Sequence, residues 1–168
     1  GDFDWSMAQA YLKAGKLRPA DKFYIAVKGA GTDEGNVFFA MRQAHGIGVE
    51  TVEQEYKEEY KDDLEGPAVL PHTGAADSRW EIAGRIDGDM DTDSDDNIKA
   101  KSILSFGKVR PVDEVRMALK GDVSTEDLRK AFRKSAEEGL AGPALTKEYQ
   151  RSFGTSLEGD MLSTHLKL

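Results

Sequence analysis

Gly15-Lys-Leu-Arg-Pro-Ala-Asp-Lys-Phe-Tyr-Ile-Ala-Val-Lys-Gly29 returns later in the chain as Gly107-Lys-Val-Arg-Pro-Val-Asp-Glu-Val-Arg-Met-Ala-Leu-Lys-Gly121, with eight of fifteen positions identical at a spacing of 92 residues. Self-similarity at a fixed spacing marks an internal duplication. After the loop that follows, the spacing becomes 93, and Glu55-Tyr56 and Leu64-Glu65-Gly66 reappear as Glu148-Tyr149 and Leu157-Glu158-Gly159. Upstream, Gly1-Asp-Phe-Asp4 is echoed by Gly88-Asp-Met-Asp91. Two units are therefore expected, residues 1–87 and 88–168.

Both copies read as helical. Val52, Tyr56, Tyr60 and Leu64 match Leu145, Tyr149, Phe153 and Leu157, apolar at every fourth residue among Glu, Lys and Gln, the spacing of one helix face. Pro19 and Pro111 suit the first turn of an earlier helix, where the missing N–H costs nothing. That helix turns Phe23, Ala26 and Val27, or Val115, Ala118 and Leu119, inward, and Gly29 or Gly121 marks its end. Thr32, or Ser124-Thr125, supplies hydroxyls to cap the next helix, with Asp33, Glu34, Glu126 and Asp127 placing negative charge on its positive end. Ser124 with Asp127 fits a capping box. No strand pattern survives, so the fold class is all-α: two stacked units of four to five short helices. The second unit ends at Leu168, before any counterpart of Asp77 to Ile86, and is expected to lack its last helix.

Bulk chemistry narrows the function classes. Lys and Arg number 23 against 31 Asp and Glu, a net charge of -8, which repels nucleic acid and anionic lipid unless cations intervene. With no cysteine there is no disulfide framework, Zn-thiolate site or cysteine nucleophile. No apolar run reaches membrane-spanning length. The chain opens at Gly1 with no leader, and is read as a soluble piece of something longer.

Lys28-Gly-Ala-Gly-Thr-Asp-Glu34, preceded by an apolar helix and followed by Val37, Phe38, Phe39 and Met41, resembles the first interhelical loop of an annexin repeat. Tyr56-Lys-Glu-Glu-Tyr60 with Asp63-Leu64, and Tyr149-Gln-Arg-Ser-Phe-Gly-Thr-Ser-Leu157, resemble that family's third helix and its link to the fourth. The resemblance implies a curved stack of helical repeats that binds acidic phospholipid through Ca²⁺, without enzymatic activity, in the cytoplasm or on a membrane surface. It assigns the backbone carbonyls of Val27, Gly29 and Gly31 to the ion. The family's carboxylate position falls on Pro71 in the first unit and Thr164 in the second, leaving Asp77 or Glu65 to supply the acid. Such a loop suits Ca²⁺ chemically, because the ion takes six to eight oxygens and glycines let carbonyls turn inward. A looser resemblance, to annexin-like modules of large bacterial toxin or contractile-injection-associated proteins, implies the alternative: a Ca²⁺-independent structural or protein-interaction repeat whose partner is another protein or the flanking domains of its parent chain.

Asp87, Asp89, Asp91, Asp93, Asp95 and Asp96 form an acidic run that is a secondary cation candidate. As an EF-hand it fails, since Thr92 stands where Gly is needed and Ile98 where the bidentate Glu belongs. The plainer reading is a solvated loop between units with helix-capping aspartates. Phe23 to Val27 followed by Gly29-Ala-Gly31 lacks a dinucleotide fingerprint, because Glu34 takes the third glycine's place. His45, His72 and His165 have neither a Ser partner nor metal-ligand spacing and read as surface or capping residues. Trp5 and Trp80 read as core aromatics rather than lipid anchors.

Overall fold

In a computed structural model of the chain, the described residues are 2–28, 31–60, 81–91, 93–120 and 124–167. They form ten α-helices and no strand, so the chain is all-α as its spacing predicts. In order these are α1 (Asp2–Ala14), α2 (Pro19–Val27), α3 (Glu34–Ile47), α4 (Val49–Tyr60), α5 (Glu81–Asp89), α6 (Asp95–Phe106), α7 (Pro111–Lys120), α8 (Thr125–Glu137), α9 (Pro143–Phe153) and α10 (Leu157–Lys167).

The duplicated Arg-Pro-x-Asp explains itself at the starts of α2 and α7. Before α2, the Arg18 backbone N–H donates to Asp21 Oδ2 at 2.9 Å, while its guanidinium grips both carboxylate oxygens through Nε and Nη2 at 3.0 Å each. Before α7, Arg110 repeats the pattern on Asp113, at 2.8 Å from the backbone and 3.1 and 3.0 Å from the side chain. Each aspartate is fully buried. A charge so placed is tolerable only when paired and hydrogen-bonded, which fixes Arg, Asp and their spacing together. Pro supplies the helical φ between them.

Two apolar clusters follow. The first gathers Phe23 from α2, Val37 and Met41 from α3, Val52 and Tyr56 from α4, Ile82 and Ile86 from α5, and Ala100, Ile103 and Leu104 from α6. The second gathers Val112, Val115 and Leu119 from α7, Ala131 from α8, Leu145, Tyr149 and Phe153 from α9, and Leu157 from α10. The α6 helix lies beyond residue 88 in sequence, yet it packs against α3 and joins the first cluster.

Three local expectations change. Asp33, not Thr32, caps α3, accepting the Asn36 backbone N–H at 3.0 Å. The Thr32 hydroxyl turns away to the Asp89 carbonyl at 3.2 Å. Ser124 caps α8 as expected, accepting the Asp127 N–H at 3.3 Å. Trp5 is not a core residue: it is 64% exposed, at the edge of an open pocket that α1 shares with Tyr24 of α2 and with Glu59 and Tyr60 of α4. His45 is more than a surface residue. Its Nδ1 is 3.1 Å from the Leu104 carbonyl, tying α3 to α6. Trp80 and His72 lie outside the described residues.

Candidate functional site

Residues far apart in sequence meet at one cleft. Gly31, Thr32 and Glu34, from the turn between α2 and α3, face Asp89, Met90, Asp91, Ser94 and Asp96, from the turn between α5 and α6, around a volume of about 330 Å³. The Thr32 hydroxyl on the Asp89 carbonyl pins the two turns together. Inside the first turn, the Asp33 backbone N–H reaches back to the Ala26 carbonyl at 3.0 Å, and Gly31 adopts φ +124°, a backbone state that side-chain-bearing residues rarely hold. Across the cleft, the Ser94 N–H donates to the Asp91 carbonyl at 2.9 Å and its hydroxyl accepts the Asn97 N–H at 3.2 Å, starting α6.

The loop and the acidic run, two separate candidates in the sequence, thus share a surface. Glu34 and Asp96 sit in the first turns of α3 and α6, where part of their charge answers the helix dipoles. Asp91 is exposed and lies outside any helix. The donor set is all oxygen, which suits a hard cation. Among the described residues, however, no three His, Asp or Glu side chains converge to hold a metal. Any ion here would lean on backbone carbonyls and on few carboxylates.

Three other aspartates of the acidic run, Asp87, Asp89 and Asp93, are paired within the protein. Asp87 accepts from Asn97 Nδ2 at 2.9 Å and pairs with the fully buried Lys101 of α6. Asp89 pairs with Arg85 at 2.7 Å, four residues earlier on α5. Asp93, at φ +68°, pairs with Arg116 at 2.8 Å and with Lys120, both on α7. Burial opposes ionisation of Asp93, but hydrogen bonds from Arg116 and Lys120 outweigh it and hold the carboxyl below its ordinary range. Asp95 lines a different groove, with Glu114 of α7 and Asp127 and Lys134 of α8.

Of the family-type ligands, Val27 is buried as the last residue of α2, and Gly31 lines the cleft. Gly29, Glu65 and Asp77 lie outside the described residues. In the second unit Leu119 stands where Val27 does, and its carbonyl accepts the Thr164 hydroxyl at 3.2 Å.

A network that the sequence did not announce ties the second unit together. Besides Asp93, Arg116 donates to Asp160 at 2.7 Å and to the Tyr149 hydroxyl at 3.0 Å, and that hydroxyl donates to Asp160 at 2.7 Å. The signal available was Arg116 itself, a charge at the inward-facing position that Tyr24 holds in the first unit.

Among the described residues no helix is long and apolar enough to cross a membrane. Compared with family models, with curated proteins and with solved structures, the chain matches none.

Proposed function

We propose that this chain is a non-enzymatic, annexin-like repeat module that docks on acidic phospholipid surfaces through Ca²⁺ held by its first unit. The observation that carries the reading is the meeting of the Gly31–Glu34 turn with Asp89, Asp91 and Asp96 at one open cleft. Carbonyls of Val27, Gly29 and Gly31 would take the ion from one side. A carboxylate bordering the cleft, from Glu34, Asp91 or Asp96, or else Glu65 or Asp77, would take it from the other, with lipid phosphate filling the open positions. Few carboxylates mean weak binding, so the ion and the lipid should each strengthen the other.

Charge makes the test sharp. Without Ca²⁺ a chain of net charge -8 is repelled by phosphatidylserine vesicles. Co-sedimentation with such vesicles should therefore appear on adding millimolar Ca²⁺ and vanish with chelator. Absence of Ca²⁺-dependent pelleting sinks the lipid reading.

The second reading, a Ca²⁺-independent structural or protein-interaction repeat, is favoured by the closure of the Leu119 carbonyl by Thr164 and by the pairing of Asp93 with Arg116. Both put the chain's own groups where a cation or its ligands would otherwise act. Calorimetry separates the two readings, since the scaffold predicts no heat on titration with millimolar Ca²⁺.

A further inference from the structure

The duplication supplies a template for an interface between copies. Helices α1 and α6 end alike: each runs into a left-handed glycine, Gly15 at φ +69° and Gly107 at φ +77°, followed by Lys, an apolar residue, Arg and Pro. Aligned on those glycines, Ala8, Tyr11 and Leu12 of α1 match Ala100, Ile103 and Leu104 of α6. The α6 residues are the ones that enter the first core, with Ile103 only 2% and Leu104 0% exposed. Their α1 counterparts stand in water: Tyr11 is 52% and Leu12 83% exposed, and Ala8 is exposed as well. The opposite face of each helix is buried against its own unit, through Ala10 in α1 and Ser102 in α6.

The receiving helix is duplicated too. Aligned on their caps, Asp33 and Ser124, the α3 residues Val37, Ala40, Met41, Ala44 and His45 match Leu128, Ala131, Phe132, Ser135 and Ala136 of α8. On α3 the first four are fully buried, and His45 meets the Leu104 carbonyl of α6. On α8, Leu128 and Phe132 are only partly covered, and Ala136 is exposed. Among the described residues α8 packs chiefly on α7, and no helix stands against it as α6 stands against α3.

We infer that the α1 helix of one copy of this chain docks on α8 of a second copy, repeating between molecules the packing of α6 on α3. The contact is heterologous, because α1 and α8 are different surfaces. Each pairing therefore leaves one α1 and one α8 free, and assembly continues head to tail until it closes or runs out of protein. Apolar burial drives it, and the shared negative charge opposes it, so added salt strengthens it.

Sedimentation equilibrium or light scattering at about 0.15 M salt, where charge repulsion is screened beyond about 8 Å, tests this. The mass of the unaltered chain should rise with concentration past that of a dimer. Leu12→Asp and Ala136→Arg both fall at exposed positions, so each variant should keep its helical circular dichroism and stay monomeric alone. Mixed in equal amounts, they should form dimers that grow no further, since only the α1 of the Ala136→Arg copy and the α8 of the Leu12→Asp copy remain intact. A monomeric unaltered chain, continued association of either variant, or a mixture that stays monomeric overturns the inference.

Discussion

The Thr164 hydroxyl donates to the Leu119 carbonyl at 3.2 Å, joining the end of α7 to α10 across 45 residues. In the first unit the matching carbonyl belongs to Val27. In the second unit a hydroxyl hydrogen reaches this oxygen and ties α10 to the end of α7.

Thr164→Val keeps the shape and removes the donor. Losing one such bond costs about 1 kcal/mol, and in a chain of this size that lowers Tm by about 2–4 °C. Thermal unfolding followed by circular dichroism checks it. An unchanged Tm would mean that the hydroxyl adds nothing to what packing of α10 on α7 already supplies.

The two helix-ending glycines differ in their surroundings. Gly15 at φ +69° has no atom near the place a Cβ would take, whereas at Gly107, at φ +77°, a Cβ would lie 2.8 Å from His45 Cδ2. Gly15→Ala should therefore cost about 1 kcal/mol, the backbone penalty alone. Gly107→Ala should cost about 2–3 kcal/mol, because it also displaces the ring that ties α3 to α6. Urea titration measures both. Equal losses would show that the His45 contact is not felt.

What the sequence disclosed, and what it hid, follows from the range of each interaction. Helix class, the starts at Pro19 and Pro111 and the inward face through Tyr56 and Tyr149 depend on neighbours within a few residues, so spacing reveals them. The Arg18–Asp21 fork is likewise local, and for that reason survives as identical letters in both copies. Thr32 and Asp33 are adjacent oxygen-bearing residues, and only the tertiary position of the Asp89 carbonyl decides which of them caps α3. Asp91 and Asp95 are exposed, as a solvated run implies, but Asp87 and Asp93 are not free, and their partners Lys101, Arg116 and Lys120 lie on later helices. The cleft was hidden for the same reason, since its two walls are 57 residues apart at the Thr32–Asp89 bond.

Acid sensitivity carries two opposite signs. At Asp21 burial opposes ionisation, but hydrogen bonds from Arg18 and the Tyr60 hydroxyl outweigh it and hold the carboxyl below its ordinary range. The stability it supplies is complete above the unfolded value of about 4 and is lost as pH falls through the lower folded value. At Glu53 burial wins over the Ile82 backbone N–H and pushes the carboxyl up. Its ionisation costs stability as pH rises from about 4 through the raised folded value. Asp21→Asn should be less stable than the unaltered chain at neutral pH, with the deficit shrinking in acid. Glu53→Gln should be more stable at neutral pH, with the advantage vanishing below about pH 4. Unfolding titrations at neutral and acid pH check both, and differences that stay constant with pH would contradict the assignment.

The proposed Ca²⁺ site divides the acidic residues into two groups that respond differently. Glu34, Asp91 and Asp96 border the cleft, and Asp91→Asn or Glu34→Gln should weaken the calorimetric Ca²⁺ response several-fold while leaving the fold intact, since both positions are exposed. Gly31→Val should abolish the response by disfavouring the φ +124° state, and an unchanged helical circular dichroism spectrum would show that the strain stays within the turn. Asp93 faces Arg116 and Lys120 instead. Asparagine tolerates the left-handed backbone there, so Asp93→Asn should leave Ca²⁺ binding unchanged and lower stability by about 1–3 kcal/mol through the weakened pairing. If Asp93→Asn removes the Ca²⁺ response and Asp91→Asn does not, the ion binds at the α6–α7 side of the acidic run, and the cleft at Gly31 is not its site.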